Sequence, residues 1–303
     1  MTVSVVYGGK EERDASAKNA KDIAESLSSR GYTVHLIEFC ENIISKLKEL
    51  GTDVVYVCVQ GKGFGDGTFQ AMLEHEKIPF TGSGMRAACL INDKILCKLL
   101  FDRFGIATPK WDILTKKQYS EGNYPFEDFG FPFAAKAPTQ GGSYGIEIIR
   151  SMNDIPLIGN VFSFDDPIMI ERFIIGRNYT VGFYESNGQV VTLPVVEVVD
   201  LSKKKNSTDE LSIITGDCRA EKCDLSPELA ENISRTAEKV FEVTGAKGLA
   251  RVDFMLDEIE QRPYVLEINA VPGLKKSSLM PQEALTAGIN YDDMIEDILK
   301  SAF

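Results

Sequence analysis

Two segments of mixed apolar and polar residues, 251–256 and 264–269, constrain the fold more than any other part of this sequence. In both segments apolar residues alternate with polar ones, which is the pattern of a half-buried β-strand, and a polar connection separates the two. The segments therefore predict a β-hairpin. Its alternation places Asp253, Glu267 and Asn269 on one face of the hairpin.

These three side chains form a candidate Mg²⁺ site. Mg²⁺ prefers oxygen ligands, binds proteins through one or two carboxylates, and completes its octahedral shell with water and substrate phosphates. The hairpin therefore indicates nucleotide chemistry. The alternative is that Asp253 and Glu267 are solvated residues on an open strand face. Asn269, two residues after Glu267, and Arg251, two residues before Asp253, favour the metal site.

Composition narrows the class of protein. The 303 residues are enough for two or three domains, and a content of 44% hydrophobic and 26% charged residues is ordinary for a globular enzyme. The net charge of -12 argues against a nucleic-acid partner, because phosphate neutralisation needs a basic surface. No apolar run is long enough to span a membrane and the N-terminus does not have the pattern of a signal peptide, so we expect a cytoplasmic protein.

The cysteines do not indicate a metal centre. The six cysteines include no Cys-x-x-Cys motif, and with only two histidines in the chain a zinc site is not expected. Cys218 and Cys223 are close enough in sequence for a reversible bridge. Two surface or half-buried thiols are the favoured interpretation.

Hydrophobic patterning predicts a succession of strands and helices. Predicted strands outside the hairpin occupy residues 2–8, 33–38, 54–60, 133–136, 146–150, 168–173, 179–184 and 189–199. Predicted helices occupy residues 16–29, 86–104, 227–244 and 289–301. The alternation near the N-terminus predicts a parallel sheet flanked by helices. The span 201–221 has little periodicity, so we expect a mobile loop there that could close as a lid.

A glycine-rich loop at 140–145 is a candidate phosphate site. Its glycines would let backbone N–H groups approach an anion, although such loops also occur without a ligand. Lys136 lies in the apolar strand just before the loop, where a lysine must either reach solvent or meet an anion, and a triphosphate is a suitable anion. The chain as a whole is expected to form an N-terminal domain, a central domain with this loop, and a C-terminal domain with the hairpin and the 201–221 loop, at residues 1–84, 85–175 and 176–303.

Four short motifs identify a family resemblance. Arg-Val-Asp-Phe, Glu-Ile-Asn, Pro-Gly-Leu and Ser-Leu-Met-Pro, at residues 251–254, 267–269, 272–274 and 278–281, resemble the D-alanine–D-alanine ligase branch of the ATP-grasp superfamily. The resemblance runs through nearly the whole chain. It implies an α/β and α+β protein with the ATP-grasp fold, in which a parallel α/β domain, a central β-rich domain and a C-terminal metal-binding domain follow one another.

The resemblance also implies an activity. A ligase of this family uses ATP and Mg²⁺, with two ions expected and Mn²⁺ as a possible substitute, to join small amino acids through an acyl phosphate. That chemistry serves peptidoglycan and cell-wall synthesis in the family. The resemblance further implies a homodimer formed through the N-terminal domain, with no nucleic acid and no membrane as partner.

Roles for individual residues follow from the same resemblance. The implied nucleotide-binding residues are Lys94, Lys136, Gly141, Gly142, Ser143, Glu171, Phe173 and Asn178, of which Glu171 and the backbone after it would meet the adenine edge. Asp253, Glu267 and Asn269 would hold metal. On the substrate side, Glu12 would bind an ammonium group and Ser278 a carboxylate. The implied catalytic set is Arg251, the backbone N–H of Gly273, and Ser143.

Departures from the family pattern fall on the substrate side. Gln60 stands where the family has histidine, Gly65 where it has glutamate, and Gly142 where it has the first of two serines. The 201–221 span lacks the aromatic lid motif of the family. Ligation of two D-alanines is therefore the default interpretation, and a ligase for a different amino acid or amine is the alternative. A non-catalytic ATP-binding homologue is less favoured, because the metal-binding side chains are all present.

Overall fold

The computed structural model describes residues 1–10, 12–142, 144–201 and 218–303, and within them the chain forms three β-sheets. Ser143 and all but the ends of the predicted 201–221 loop lie outside the described residues. Among the described residues, none of the helices combines the length and the apolar character of a membrane span.

The N-terminal sheet is parallel, with the strand order β2-β1-β3. Its strands are β1 (Thr2–Tyr7), β2 (Thr33–Glu38) and β3 (Val54–Val57), and its helices are α1 (Arg13–Ser29), α2 (Ile43–Glu49) and α3 (Thr68–Glu76). The parallel α/β prediction is confirmed. Because β1 is covered by helices, its apolar run is almost continuous and buried, as is usual in a parallel sheet. The third strand is shorter than predicted, and α2 and α3 were not predicted.

The predicted single helix at 86–104 is wrong, because the chain forms two helices there, α4 (Met85–Asn92) and α5 (Lys94–Phe104). Asp93 leaves the helical conformation, with φ −103° and ψ 107°, and its carboxylate accepts a hydrogen bond from the N–H of Leu96 at 3.1 Å. Asp93 is thus the N-cap of α5. The break brings Lys94 to the first turn of a new helix, where its N–H donates to the carbonyl of Pro138 at 3.0 Å.

The central sheet is antiparallel, with the strand order β4-β7-β5-β6. Its strands are β4 (Trp111–Leu114), β5 (Phe133–Lys136), β6 (Ile146–Ile149) and β7 (Ile168–Arg172). The helices around it are short, α6 (Lys116–Ser120), α7 (Phe126–Phe129), a 3₁₀ helix (Met152–Leu157) and α8 (Ile158–Val161). The glycine-rich loop joins β5 to β6, as the sequence predicts.

The C-terminal sheet has the order β11-β10-β8-β12-β13, and one more strand, β9, pairs with β8. These strands are β8 (Gly176–Ser186), β9 (Gln189–Thr192), β10 (Val196–Asp200), β11 (Cys218–Lys222), β12 (Leu249–Asp257) and β13 (Arg262–Asn269). The predicted strand at 189–199 is two strands, because Pro194 has no N–H to offer a ladder. The end of the predicted 201–221 loop is also wrong, since residues 218–221 belong to β11.

Three further helices hold the C-terminal sheet in place, namely α9 (Pro227–Thr244), α10 (Leu279–Thr286) and α11 (Tyr291–Lys300). One apolar core joins α4, α5 and α9 to the sheet. A second core joins α10 and α11 to both this sheet and the N-terminal sheet. The two sheets are therefore fixed relative to each other by a shared apolar core, with the candidate site at its edge.

All six cysteines are free thiols. Cys218 and Cys223 are half-buried, which confirms the favoured interpretation of these two residues. The Sγ of Cys223 donates to the carbonyl of Val195 at 3.3 Å, so this thiol is engaged within the C-terminal domain.

Candidate active site

A cleft of about 390 Å³ opens between the central and C-terminal sheets, and the N-terminal domain contributes one wall. That size is within the usual range for a small-molecule site. Most of the site residues predicted from the sequence line this cleft, namely Glu12, Lys94, Lys136, Gly142, Glu171, Phe173, Asn178, Arg251, Asp253, Glu267, Asn269 and Gly273. Gly141 lines a smaller adjoining cavity of about 90 Å³. Ser278 lines neither.

The predicted hairpin consists of β12 and β13. Their register pairs Asp253 with Glu267 and Arg251 with Asn269. Residues directly opposite each other in a sheet project to the same face, so all four side chains share one side of the hairpin. This is the face that the alternation predicts, and it lines the cleft. A β-bulge follows at Asp253 and Phe254.

The Asp253 carboxylate is held by three neighbours. Arg251 donates to it through two nitrogens, Nε to Oδ1 at 2.8 Å and Nη2 to Oδ2 at 2.7 Å. The Thr180 hydroxyl donates to Oδ1 at 2.7 Å, and the Asn269 amide nitrogen donates to Oδ2 at 2.9 Å. Burial lowers the pKa of Arg251, but the charge of Asp253 outweighs it, so that pKa lies above its usual value. Arg251 is therefore a cation held against the Asp253 carboxylate by two hydrogen bonds.

Glu267 faces Lys94 across the cleft. The Nζ of Lys94 lies 3.4 Å from Glu267 Oε2 and donates to the carbonyl of Gln140 at 2.7 Å. Burial raises the pKa of Glu267, but the charges of Lys94, Lys136 and Arg251 outweigh that effect and hold it below its usual value. Lys94 thus connects the Glu267 carboxylate to the glycine-rich loop.

Lys136 meets a second carboxylate, Glu171 on β7. One oxygen of Glu171 pairs with Lys136 and the other pairs with Lys98 on α5. Sequence reasoning missed Lys98. The available signal was a lysine between apolar neighbours, four residues after Lys94 and so on the same side of a helix.

Glu12 packs against the glycine-rich loop. A Cβ added to Gly141 would lie 2.6 Å from Glu12 Oε1, and one added to Gly142 would lie 3.0 Å from the same atom. Gly142 also has φ +58°, a left-handed conformation that favours glycine. The absence of side chains at these two positions therefore lets the Glu12 carboxylate approach the loop backbone.

Gln60 and Gly273 line the cleft near Ser278, in the part where the sequence predicts the amino-acid substrates. The Nε2 of Gln60 donates to the carbonyl of Val271 at 3.0 Å and links the N-terminal domain to the segment after β13. Ser278 is the N-cap residue of α10, and a Cβ added to Gly273 would lie 2.9 Å from its hydroxyl oxygen. Ser278 therefore lies directly behind a residue that lines the cleft.

Phe173 and Asn178 also line the cleft, at the end where the sequence predicts adenine. The N–H groups of Arg172 and Phe173 donate to the carbonyls of Lys110 and Pro132, at 2.7 and 3.1 Å. These two amides are engaged within the fold, so an adenine ring at this end would use other backbone groups. Asn178 lies on β8, opposite Met255.

Sequence reasoning also missed Glu283 on α10, which is completely buried. Its Oε2 accepts a hydrogen bond from the N–H of Gly182 at 2.6 Å, and its Oε1 has no hydrogen-bond partner among the residues that the structure describes. Burial raises the pKa of Glu283 to about 8, and the charge of Asp253 adds to this while Arg251 opposes it. A buried acid on a helix next to the site has no local sequence signal.

The donor set suits Mg²⁺. Two opposed carboxylates and the amide oxygen of Asn269 are hard ligands, and the nitrogen of that amide is already used by Asp253. Within the described part of the chain, no three His, Cys, Asp or Glu side chains gather as a metal cage. A cage of that kind is not needed, because phosphates and water supply the remaining Mg²⁺ ligands.

Known proteins resemble this chain along its length. Residues 100–300 match the family model described as D-ala D-ala ligase C-terminus. The D-alanine–D-alanine ligase of Carboxydothermus hydrogenoformans is 33% identical over 309 residues, covering 99% of this chain and 97% of that protein. The same enzyme of Bordetella petrii is 32% identical over 307 residues, covering 99% and 91%. The crystal structure of the Bacillus anthracis enzyme complexed with ATP has a TM-score of 0.84 at 26% identity, covering 100% of this chain and 97% of that chain.

The three-sheet architecture and the match to that structure define an ATP-grasp fold, which confirms the predicted fold class. The family model and the full-length relatives are more specific. This chain belongs to the D-alanine–D-alanine ligase family.

Proposed function

We propose that this protein is an ATP-dependent carboxylate–amine ligase that joins two D-alanine molecules through an acyl phosphate. One observation carries most weight. The cleft is lined both by Lys94 and Lys136 and by the paired Asp253 and Glu267, in a chain of the D-alanine–D-alanine ligase family. Phosphoryl transfer from ATP needs cationic side chains that bind the phosphates, next to carboxylates that bind a metal ion.

The chemical problem is that a carboxylate does not react with an amine, because its oxygen is a poor leaving group. In the proposed reaction the carboxylate oxygen of the first amino acid attacks the γ-phosphorus of ATP, and ADP leaves. The amine of the second amino acid then attacks the carbonyl carbon of the acyl phosphate. A tetrahedral oxyanion forms and collapses, inorganic phosphate leaves, the amine loses a proton, and the peptide bond remains.

Side chains of this protein would act on the nucleotide as fixed charges. Lys136 and Lys94 would bind its phosphates, and the loop around Gly141 and Gly142 would cover them. Asp253, Glu267 and Asn269 would hold Mg²⁺, which when bound neutralises charge on the transferred phosphoryl group. Ser143 belongs to the same loop in this proposal, although it lies outside the described residues.

The amino acids would bind where the N-terminal domain meets the C-terminal sheet. We place the ammonium group of the first at Glu12 and the carboxylate of the second near Ser278. Nε and Nη2 of Arg251 already donate to Asp253, so the oxyanion would meet its remaining nitrogen, Nη1, and the N–H of Gly273. Loss of one such donor commonly costs about 10² to 10³ in rate.

Further parts of the proposal concern assembly and conditions. Two Mg²⁺ ions are expected in the working site, with Mn²⁺ able to replace them. A homodimer through the N-terminal domain and a cytoplasmic location are also proposed.

A second candidate function is ligation of a different amino acid or amine by the same chemistry. The observation that favours it is the contact of Glu12 with Gly141 and Gly142, where a serine side chain at 142 would come within 3.0 Å of the carboxylate. Gln60, bonded to Val271, also replaces the histidine of the family pattern. A non-catalytic homologue remains the least favoured, since the metal side chains line the cleft.

The test is phosphate release and product mass with purified protein, ATP and Mg²⁺. The proposal predicts release that depends on D-alanine and a product with the mass of the dipeptide. L-alanine and a panel of other D-amino acids and small amines are the matched comparison. Release with a different amine and none with D-alanine would favour the second candidate. ATP turnover with no ligated product from any of them would contradict both.

A further inference from the structure

Lys98 is a buried lysine next to the proposed nucleotide site, and the proposed function assigns no role to it. Its side chain is 1% exposed, and the side chain of its partner Glu171 is 2% exposed. Removing a charged group from water is costly unless it is paired and hydrogen-bonded. A lysine in this position therefore needs partners that compensate for the loss of water.

Three acceptors surround the Lys98 ammonium group. They are a carboxylate oxygen of Glu171, the hydroxyl oxygen of Thr108, and the carbonyl oxygen of Val265, the last at 3.2 Å. The Thr108 hydroxyl donates its own proton to the Val265 carbonyl at 2.8 Å, so its oxygen can accept from Lys98. The ammonium group thus donates hydrogen bonds to Thr108 and Val265 and forms an ion pair with Glu171. Burial lowers the pKa of Lys98 below its usual value, and the Glu171 carboxylate beside it opposes this effect and favours the cation.

Glu171 is shared between two lysines. Its Oε1 pairs with Lys98 and its Oε2 pairs with Lys136, whose side chain is 15% exposed and lines the cleft. Two lysines and one carboxylate leave one net positive charge. Without the charge of Lys98, Glu171 and Lys136 would form a neutral pair, and Lys136 would attract an anion more weakly.

We propose that Lys98 is a positioning residue that shares the Glu171 carboxylate, so that the Lys136 ammonium keeps a net positive charge for the phosphates of a bound nucleotide. The inference rests on the proposed function in one respect, that Lys136 binds nucleotide phosphates. The competing explanation is that Lys98 only braces α5 against β7 and β13. The two explanations differ in what removal of the carboxylate does.

The experiment measures the binding of ADP and of adenosine, without amino acids, by calorimetric titration and competition. The ratio of the two dissociation constants isolates the contribution of the phosphates and cancels changes at the adenine end. The proteins are the parent, Lys98→Met, Glu171→Gln, the double variant, and Lys116→Met as a control for an exposed lysine on α6.

Lys98→Met is expected to reduce the phosphate preference, the ratio of adenosine to ADP dissociation constants, by about tenfold or more, because Glu171 and Lys136 then form a pair without net charge. The double variant also leaves one net positive charge, so it is expected to return to within about threefold of the parent. Lys116→Met should match the parent. Glu171→Gln frees Lys136 from its pair, so the preference should not fall, and this comparison holds even if Lys98→Met fails to fold.

An unchanged preference in a folded Lys98→Met protein would overturn the inference while leaving the proposed function intact. A double variant as weak as Lys98→Met, or a Glu171→Gln protein that loses preference, would also overturn it and favour the bracing role. A parent protein that binds no ADP would contradict both the inference and the proposed function.

Discussion

Glu283 offers a sharp test of the electrostatics beside the site. This carboxyl group is completely buried on α10, and burial raises its pKa to about 8 from the ordinary 4.5. The charged groups that act on it are Asp253, which raises this pKa, and Arg251, which lowers it. The folded protein therefore binds a proton at Glu283 across a pH range in which the unfolded chain has released it.

The sign follows from that difference in proton binding. Below about pH 4.5 both states are protonated and the stabilisation from the neutral acid is fully present; it is lost as pH rises through about 8. At about 1.36 kcal/mol per pH unit, the interval from 4.5 to about 8 corresponds to a loss of up to about 5 kcal/mol in the free energy of unfolding.

The assay compares urea unfolding midpoints of the parent and Glu283→Gln from pH 5 to pH 9. The glutamine is neutral throughout and its oxygen can still accept from the N–H of Gly182. The midpoint of the parent should therefore fall relative to that of the variant as pH rises, and other titrating groups cancel in the comparison. Two midpoint curves that stay parallel over the whole interval would refute the assignment of a protonated Glu283.

Two glycine substitutions test close contacts around the site. Gly142→Ser would place a Cβ 3.0 Å from Glu12 Oε1 at φ +58°, so we expect a higher KM for the first amino acid with a smaller change in KM for ATP, measured by steady-state kinetics. Gly182→Ala would place a Cβ 2.7 Å from Glu283 Oε2, so we expect a loss of about 1–3 kcal/mol in urea unfolding. Equal KM values for Gly142→Ser and the parent, or equal urea midpoints for Gly182→Ala and the parent, would contradict these contacts.

Local patterns predicted much of the site. The alternation of apolar and polar residues in β12 and β13 predicted the shared face of Asp253, Glu267 and Asn269. Successive side chains of a strand point to opposite faces, and the two strands of a hairpin pair directly with each other. Asn187 and Gly188, a dipeptide typical of hairpin turns, join β8 to β9, and both residues have positive φ, at 52° and 74°. Geometry that depends on a few neighbouring residues can therefore be predicted from the sequence.

Other features depend on contacts that no local pattern contains. Asp93 could have been identified as an N-cap, but the apolar periodicity continued through it and favoured one helix. Lys98 and Glu171 are 73 positions apart in the chain, and only the packing of α5 against the central sheet brings them together. Glu283 likewise meets Gly182 across 101 positions. Buried polar pairs of this kind are tertiary features.

The central claim is that Asp253, Glu267 and Asn269 hold divalent cations against the phosphates of a nucleotide. The most direct measurement is anomalous diffraction from crystals grown with Mn²⁺ and a non-hydrolysable ATP analogue. We predict an anomalous peak bonded to oxygens of these three side chains and to the phosphates, with Lys94 and Lys136 contacting the same phosphates. A fully bound nucleotide whose metal lies elsewhere, or whose phosphates lie away from the β12–β13 hairpin, would contradict the account.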